Sequence, residues 1–280
     1  EGSTDIAFTE NVQKRMEAFG FQTITVEDGN DLAAIGAAIE EAKADKERPS
    51  FITVKTQIGY GCPAKQGKAS AHGEPLGEEN VSKEAFYVPE EVYAHYRTLA
   101  EAGEQAEEEW NQLFQKYCEA YPEMKELWEQ YYNADVKEKL DACEDFWNYE
   151  EKADATRNLS GKVINRLKDI LPNLIGGSAD LAPSTKTYMN GEGDFAKGQY
   201  EGRNLHFGVR ELAMTAIGNG MMLHGGLHAY VSTFFVFSDY TKPMARLSSL
   251  MNVPLTFVFT HDSIGVGEDG PTHEPIEQLA

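Results

Sequence analysis

Thr23-Ile24-Thr25-Val26 and Phe51-Ile52-Thr53-Val54 are two short apolar runs, rich in β-branched residues, that flank a helical pattern. Asp28-Gly29-Asn30-Asp31 predicts a turn after the first run, with Asn30 or Asp31 as the N-cap of the helix. The apolar residues that follow at helical spacing are Leu32, Ile35, Ile39 and Ala42. Strand, helix, strand is the unit of a parallel sheet, so this part of the chain predicts an α/β region.

Strand and helix patterns also alternate in the last 130 residues. A helix is predicted to stop near Pro172 and to be followed by a strand at Leu174-Ile175. The predicted elements after that strand are, in order, a helix (210–223), a strand (228–233), a helix (240–251) and a strand (255–260). The sequence therefore predicts two α/β regions.

An acidic, helical connector is predicted between the two regions. Residues 90–155 contain 19 acidic and 6 basic side chains. The same stretch has an apolar stripe at helical steps, formed by Val92, Tyr96, Leu99, Ala106, Trp110, Leu113 and Tyr117. We expect this stripe to pack against the body of the protein while the acids face water. Pro122 predicts the start of a second helix.

The overall charge is strongly negative, because 46 Asp and Glu residues outnumber 25 Lys and Arg residues among 280. Nucleic acids and anionic membranes attract surplus positive charge, so we expect neither as a partner. The cysteines Cys62, Cys118 and Cys143 are too few and too scattered for a disulfide framework or a zinc site. This usage predicts a cytoplasmic protein with reduced thiols.

The sequence predicts no membrane span in its long uncharged segment, and it resembles a piece of a longer polypeptide. Residues 212–238 contain no charged side chain, but Gly225-Gly226 divides them, so we predict a buried helix, turn and strand rather than a membrane span. The chain begins at Glu1 rather than Met, and residues 274–280 resemble a helix just beginning. We therefore expect a piece of a longer polypeptide.

Three short motifs could indicate ligand sites, and each also has an explanation without a ligand. Residues 265–270 match GxGxxG, yet two carboxylates and two nearby prolines argue against a dinucleotide site. His224 and His228 have metal-ligand spacing, but glycines between them argue against a shared helix face. The residues after the last strand, among them His261, Asp269 and His273, remain candidates, with a solvated loop as the alternative.

Longer motifs resemble the transketolases, enzymes that use thiamine diphosphate to move two-carbon ketol units between sugar phosphates. The matching stretches are 55–61 (KTQIGYG), 70–77 (SAHGEPLG), 176–184 (GGSADLAPS), 206–211 (HFGVRE) and 261–275 (HDSIGVGEDGPTHEP). The resemblance implies two thiamine-diphosphate-binding-type regions, both incomplete, joined by the connector. The implied domains are the end of a diphosphate-binding domain (1–88), the connector (89–150) and the start of a pyrimidine-binding domain (151–280).

The resemblance also implies roles for individual residues. Glu211 matches the glutamate that shares a proton with N1′ of the aminopyrimidine, which promotes formation of the nucleophilic ylid. The residues implied to surround the cofactor are Phe234, Phe237, Tyr240, Asp180, Leu181 and His72. Those implied to contact the substrate are His261, Asp269, His273 and His72, with Arg157 and Ser184 at its phosphate. Without the motif, a surface pair between Arg210 and Glu211 would be the simpler interpretation.

The family's GDG motif, which holds Mg²⁺ or Ca²⁺ at the diphosphate, is not among these 280 residues, so the metal ligands are expected outside them and the isolated piece is expected to be inactive. The resemblance implies a homodimer that shares its active sites and acts in the pentose phosphate pathway. The alternatives are a dihydroxyacetone synthase, a deoxyxylulose-phosphate synthase, or a non-catalytic subunit that only binds a partner.

Overall fold

The computed structural model describes residues 7–75, 77–78, 88–263, 265 and 267–279. It divides into two compact units, one ending at Gly103 and the other beginning at Glu104. Positions 76, 264 and 266, which belong to the matching motifs, lie outside the described residues.

The first unit contains the strand–helix–strand pattern that the sequence predicts. Its elements are α1 (Val12–Ala18), β1 (Gln22–Val26), α2 (Leu32–Ala44), β2 (Ser50–Val54) and a 3₁₀ turn (Ala69–Ala71). The two strands pair in parallel, with Ile24 opposite Ile52. The Asp31 carboxylate caps α2 by accepting hydrogen bonds from the amides of Ala33 and Ala34, so the predicted N-cap is confirmed at Asp31.

The connector is helical, as predicted, and consists of α3 (Glu90–Ala120), α4 (Pro122–Tyr132), α5 (Val136–Asp141) and α6 (Glu144–Trp147). The predicted burial of its stripe is wrong, because no residue of α3 is buried and Leu113 is 66% exposed. The aromatic rings pack on one another instead. Trp110 stacks on Phe114 at 5.0 Å, and Phe114 meets Trp128 of α4 at 4.9 Å.

The second unit is built on a four-stranded parallel sheet with the order β4-β3-β5-β6. Its strands are β3 (Leu174–Ser178), β4 (Asn204–His206), β5 (His228–Phe234) and β6 (Thr256–Thr260). Its helices are α7 (Thr156–Ile170), α8 (Ala182–Thr185), α9 (Glu211–His224) and α10 (Ser238–Leu250). The helices and strands predicted for this region are therefore present. β4 was not predicted, because it is only three residues long and has no apolar run.

Apolar cores lie on both faces of this sheet. On one face, Tyr230 of β5 packs with Ile164 of α7, and on the other, Val231 packs with Met214 of α9. Side chains of successive strand residues point to opposite faces, so a strand covered on both sides is buried along its length. The central strand β5 is accordingly buried from Ala229 to Phe234.

The uncharged segment forms α9, a turn and β5, as predicted, but the helix is buried on one face only, because Leu212, Ile217 and Leu223 are exposed. Gly225 and Gly226 make the turn with φ of +83° and +78°, a region that disfavours other residues. None of the helices formed by the described residues is long and apolar enough to cross a membrane. The expectation of a helix near the end is wrong for residues 274–279, which form bends and a turn.

Candidate functional site

The sequence-predicted residues of the second unit gather where its parallel strands end. Ser178, Phe234 and Thr260 are the last residues of β3, β5 and β6, which are neighbours in the sheet. In open α/β sheets, ligands bind in the crevice beyond the carboxyl ends of the strands. The loops that follow these three strands therefore form the candidate site.

A cavity of about 510 Å³ lies at this edge. It is lined by Ala179, Asp180, Leu181, Val209, Glu211, Phe237, Tyr240 and His273. The structure thus brings together six residues that the sequence resemblance singles out: Asp180, Leu181, Glu211, Phe237, Tyr240 and His273. Ala179 and Val209 complete the lining; both lie inside matching stretches, 176–184 and 206–211, but the resemblance implied no role for them.

Glu211 is the first residue of α9 and only 7% exposed. Among the described residues, none donates a hydrogen bond to its carboxylate, so its oxygens keep their capacity to accept. The amide groups of the first helical turn carry partial positive charge, which favours a carboxylate at this position. Its oxygens are not among the buried polar atoms that lack a partner, so they are open to the cavity, where a ligand can donate a hydrogen bond to them.

The loop after β3 holds Asp180 in a left-handed conformation, with φ of +68°. The Ser178 hydroxyl accepts a hydrogen bond from the Leu181 amide and donates one to the Ser232 carbonyl oxygen. These bonds tie the loop to β5. They fix Asp180 and Leu181 at the cavity wall.

Aromatic rings and imidazoles form one contiguous group beside the cavity. The Phe237 ring lies 6.3 Å from that of Tyr240 and 5.4 Å, edge to face, from that of His273. Phe234 is buried behind them and stacks on His261 with 3.6 Å between ring centres. Phe237 and Tyr240 therefore line the cavity, whereas Phe234 packs against the His261 ring.

His261 follows β6 with φ of +55°, an uncommon conformation for a residue other than glycine. Its Nδ1 lies 2.9 Å from the Thr260 hydroxyl, and its Nε2 contacts Nη1 of Arg157. Burial lowers the pKa of His261, and the positive charge of Arg157 lowers it further. The structure thus joins two predicted substrate-binding residues that are 104 positions apart.

The second predicted phosphate ligand, Ser184, is exposed on α8. No hydrogen bond links it to Arg157 among the described residues. A cavity of about 440 Å³ is bordered by both helices, with Asn158 and Lys162 of α7 and Pro183 of α8 in its lining, but neither Arg157 nor Ser184 lines it.

The remaining two candidates are placed differently. Asp269 is exposed in the loop after β6, and its charge partly offsets the lowering of the His261 pKa. His72 follows the 3₁₀ turn of the first unit. Its role stays a prediction.

The other sequence motifs carry no site. His224 ends α9 and His228 begins β5, so they do not share a helix face. No group of residues suited to a metal ion occurs in the described part of the chain. The described residues of the GxGxxG stretch belong to the loop after β6, and no helix follows within residues 267–279, as a dinucleotide site would require.

Comparison with protein families identifies both halves of the chain. Residues 1–136 match the family model "Transketolase, thiamine diphosphate binding domain". Residues 152–280 match "Transketolase, pyrimidine binding domain".

Curated relatives and solved structures agree with these matches. The whole chain is 51% identical to a transketolase of Halalkalibacterium halodurans and 50% identical to one of Geobacillus stearothermophilus, and it spans 43% of the length of each. The structure of transketolase from Leishmania mexicana matches 99% of the chain with a TM-score of 0.90 at 36% identity, and the chain covers 43% of it. Pichia stipitis transketolase, solved in complex with sedoheptulose 7-phosphate, matches 99% of the chain with a TM-score of 0.86 at 38% identity, and the chain covers 44% of it.

Proposed function

The chain belongs to the transketolase family, and we propose that the protein it belongs to transfers a two-carbon ketol unit from a ketose phosphate to an aldose phosphate. The observation that carries this proposal is Glu211, a largely buried residue in the wall of an aromatic cavity, whose carboxylate accepts no hydrogen bond from the described residues. The chain spans about 43% of its curated relatives, so the activity is proposed for the complete protein.

The residues of the cavity fit the aminopyrimidine of thiamine diphosphate. Phe237 and Tyr240 offer flat apolar surfaces, against which an aromatic ring packs favourably. Glu211 offers an acceptor for a proton at N1′ of that ring, which is the donor that the carboxylate lacks. When bound, thiamine diphosphate supplies a nucleophilic carbon and an electron sink for the two-carbon unit.

The residues at the site are proposed to have the following roles. Glu211 holds and returns the proton at N1′, and the loop carrying Asp180 and Leu181 closes one side of the cavity. His273 has Nδ1 2.9 Å from the Thr272 hydroxyl, which leaves Nε2 to exchange a proton with a substrate oxygen. His261 and Asp269 are proposed to contact the substrate from the same loop, and His72 to lie between cofactor and substrate.

The phosphate of the sugar is proposed to bind Arg157, with Ser184 adding a hydroxyl donor. A guanidinium presents a planar pair of N–H groups to phosphate oxygens. Arg157 is half-buried, its buried Nε has no hydrogen-bond partner in the described part of the chain, and no carboxylate there neutralises it. In a chain with a net charge of −21, this leaves a cation available for an anionic ligand.

Arg157→Ala is expected to raise the KM of the complete protein for phosphorylated sugars about tenfold to a hundredfold, since a charge-assisted hydrogen bond contributes about 1.5–3 kcal/mol. Hydroxypyruvate has no phosphate, so its KM is expected to change little, and the affinity for thiamine diphosphate is expected to stay the same. Steady-state kinetics with both donors measures the difference. The control is Arg246→Ala, which removes an exposed arginine of α10. Equal losses with both donors would assign Arg157 a structural role instead.

The remaining features of the complete protein are proposals from the family. They are a Mg²⁺ or Ca²⁺ ion held by ligands outside this chain, a homodimer that shares its active sites between subunits, a place in the pentose phosphate pathway, and a cytoplasmic location. The domain limits at 88/89 and 150/151 are proposals of the same kind.

The activity itself is tested by incubating the complete protein with xylulose 5-phosphate, ribose 5-phosphate, thiamine diphosphate and Mg²⁺. Transfer of two carbons yields a seven-carbon ketose phosphate and a three-carbon aldose phosphate. Formation of both, dependent on added cofactor, is the expected result. Absence of both products would favour the non-catalytic alternative.

A further inference from the structure

Lys65 is a largely buried cation of the first unit, with 15% of its side chain exposed. Its Nζ donates hydrogen bonds to the carbonyl oxygens of Pro75 at 2.7 Å and Ser70 at 3.4 Å. It also forms an ion pair with the Glu74 carboxylate at 3.2 Å. An ammonium group has three N–H donors and no acceptor, so these three contacts use its whole capacity. Lys65 therefore binds one short segment of the chain, residues 70–75.

This segment carries His72. Ser70 precedes the histidine by two positions and Pro75 follows it by three, so the ammonium group of Lys65 holds the backbone on both sides of it. The His72 amide donates to the carbonyl oxygen of Ala69 at 3.0 Å, which extends the 3₁₀ turn. The backbone position of His72 thus depends on the turn and on Lys65.

The loop before the turn keeps Lys65 itself in place. The Lys65 amide donates to the carbonyl oxygen of Cys62 at 3.0 Å, and Cys62 is buried. Gly59 has a φ of +67°, and a Cβ built there would lie 2.9 Å from Cβ of Ala71 and 3.2 Å from the carbonyl oxygen of Lys65. Glycine adopts this conformation without strain and leaves room for the contact. The loop and the turn therefore pack directly against each other.

No sequence pattern indicates a role for Lys65. It lies between the stretches 55–61 and 70–77, which match the family, and belongs to neither. Lys68, three positions further on, is exposed and donates to the carbonyl oxygen of Ala64, outside the segment that Lys65 binds. The two lysines look alike in the sequence and differ in what they contact.

We propose that Lys65 is a positioning residue for His72, because it holds the backbone on both sides of that histidine. This inference rests on the proposed role of His72 between cofactor and substrate. An unrestrained loop samples many conformations, and a displacement of 1 Å can cost a catalytic group about a hundredfold in rate. The three contacts of Lys65 restrict the segment before a substrate binds.

Lys65→Met in the complete protein is the first variant of the test. It keeps an unbranched side chain and removes all three donors. We expect kcat/KM to fall about tenfold to a hundredfold, the range for a small displacement of an active-site group. The loss should be equal for xylulose 5-phosphate and hydroxypyruvate, because His72 is not assigned to the phosphate. Lys68→Met is the matched control in the same loop and should leave kcat/KM unchanged.

A double variant separates the positioning of His72 from general support of the fold. His72→Ala alone should lower kcat/KM at least as much as Lys65→Met does. In the His72→Ala background, Lys65→Met should lower kcat/KM further by less than about twofold, since a residue that acts through the imidazole has no effect once the imidazole is absent. Lys65→Arg keeps a cation with several donors and should lie closer to the unmodified protein than Lys65→Met.

The outcomes against the inference are distinct from those against the proposed function. If Lys65→Met causes the same loss with and without the imidazole, or no loss at all, Lys65 does not act through His72. If Lys65→Met does not fold, Lys65→Gln, which keeps a shorter uncharged donor, replaces it, and its loss must likewise vanish in the His72→Ala background. Normal activity of His72→Ala would contradict the role of His72 and with it this inference. Absence of ketol transfer by the unmodified protein would contradict the proposed function itself.

Discussion

Glu211→Gln is expected to lower the kcat of the complete protein by about two to four orders of magnitude, the range usual for loss of a proton-transfer group. The amide has nearly the same shape as the carboxyl but cannot hold or return a proton. Because Glu211 is buried and accepts no hydrogen bond from the described residues, the change breaks no contact of the fold. The melting temperature is therefore expected to stay close to that of the unmodified protein.

Two measurements accompany this variant. The rate at which the C2 proton of bound thiamine diphosphate exchanges with D₂O should fall together with kcat, since both depend on the proton held at Glu211. Glu201→Gln is the matched control, because it makes the same substitution at an exposed position of the same unit. Near-normal exchange and turnover in Glu211→Gln would mean that this carboxylate has no part in the reaction.

Gly177→Ala is expected to destabilise the second unit by at least about 2 kcal/mol, at the upper end of overpacking effects. A Cβ built at Gly177 would lie 1.8 Å from the carbonyl oxygen of Leu205, so β3 and β4 could not keep their pairing. The strand leads directly into the loop that carries Asp180 and Leu181. A loss of activity is expected to accompany the loss of stability.

Calorimetry measures this effect as a fall in denaturation temperature of about 4 °C or more for a unit of this size. The control is Gly220→Ala in α9, where, beyond the adjacent residues and the backbone of the same helix, no atom of the described residues lies within 4 Å of the added Cβ. Alanine is the better helix former, so this change should raise stability by up to about 1 kcal/mol. An unchanged denaturation temperature for Gly177→Ala would contradict the close packing of β3 against β4.

Much of the fold can be predicted from local patterns in the sequence. A cap and an apolar repeat predict α2, and the run from Ala229 to Val231 within an uncharged segment predicts β5. β4 cannot be predicted in this way, since three residues are too few to establish a period. The exposure of the α3 stripe could not be foreseen, because periodicity shows which residues share a face and not what covers that face.

Part of the candidate site can be predicted from the sequence in the same way, and part cannot. Its motifs identify Glu211, Asp180 and the histidines after β6, whose residue types suit proton transfer and binding. The contact between Arg157 and His261 depends on the position of α7 beside β6 and on a left-handed backbone at His261, which no local pattern encodes.

The aromatic cavity beside Glu211 is proposed to hold the aminopyrimidine of thiamine diphosphate. A crystal structure of the complete protein with thiamine diphosphate and Mg²⁺ tests it most directly. We expect the ring to pack against Phe237 and Tyr240, with N1′ within hydrogen-bond distance of the Glu211 carboxylate. A cofactor bound elsewhere, with this cavity empty and Glu211 far from any ring nitrogen, would contradict it.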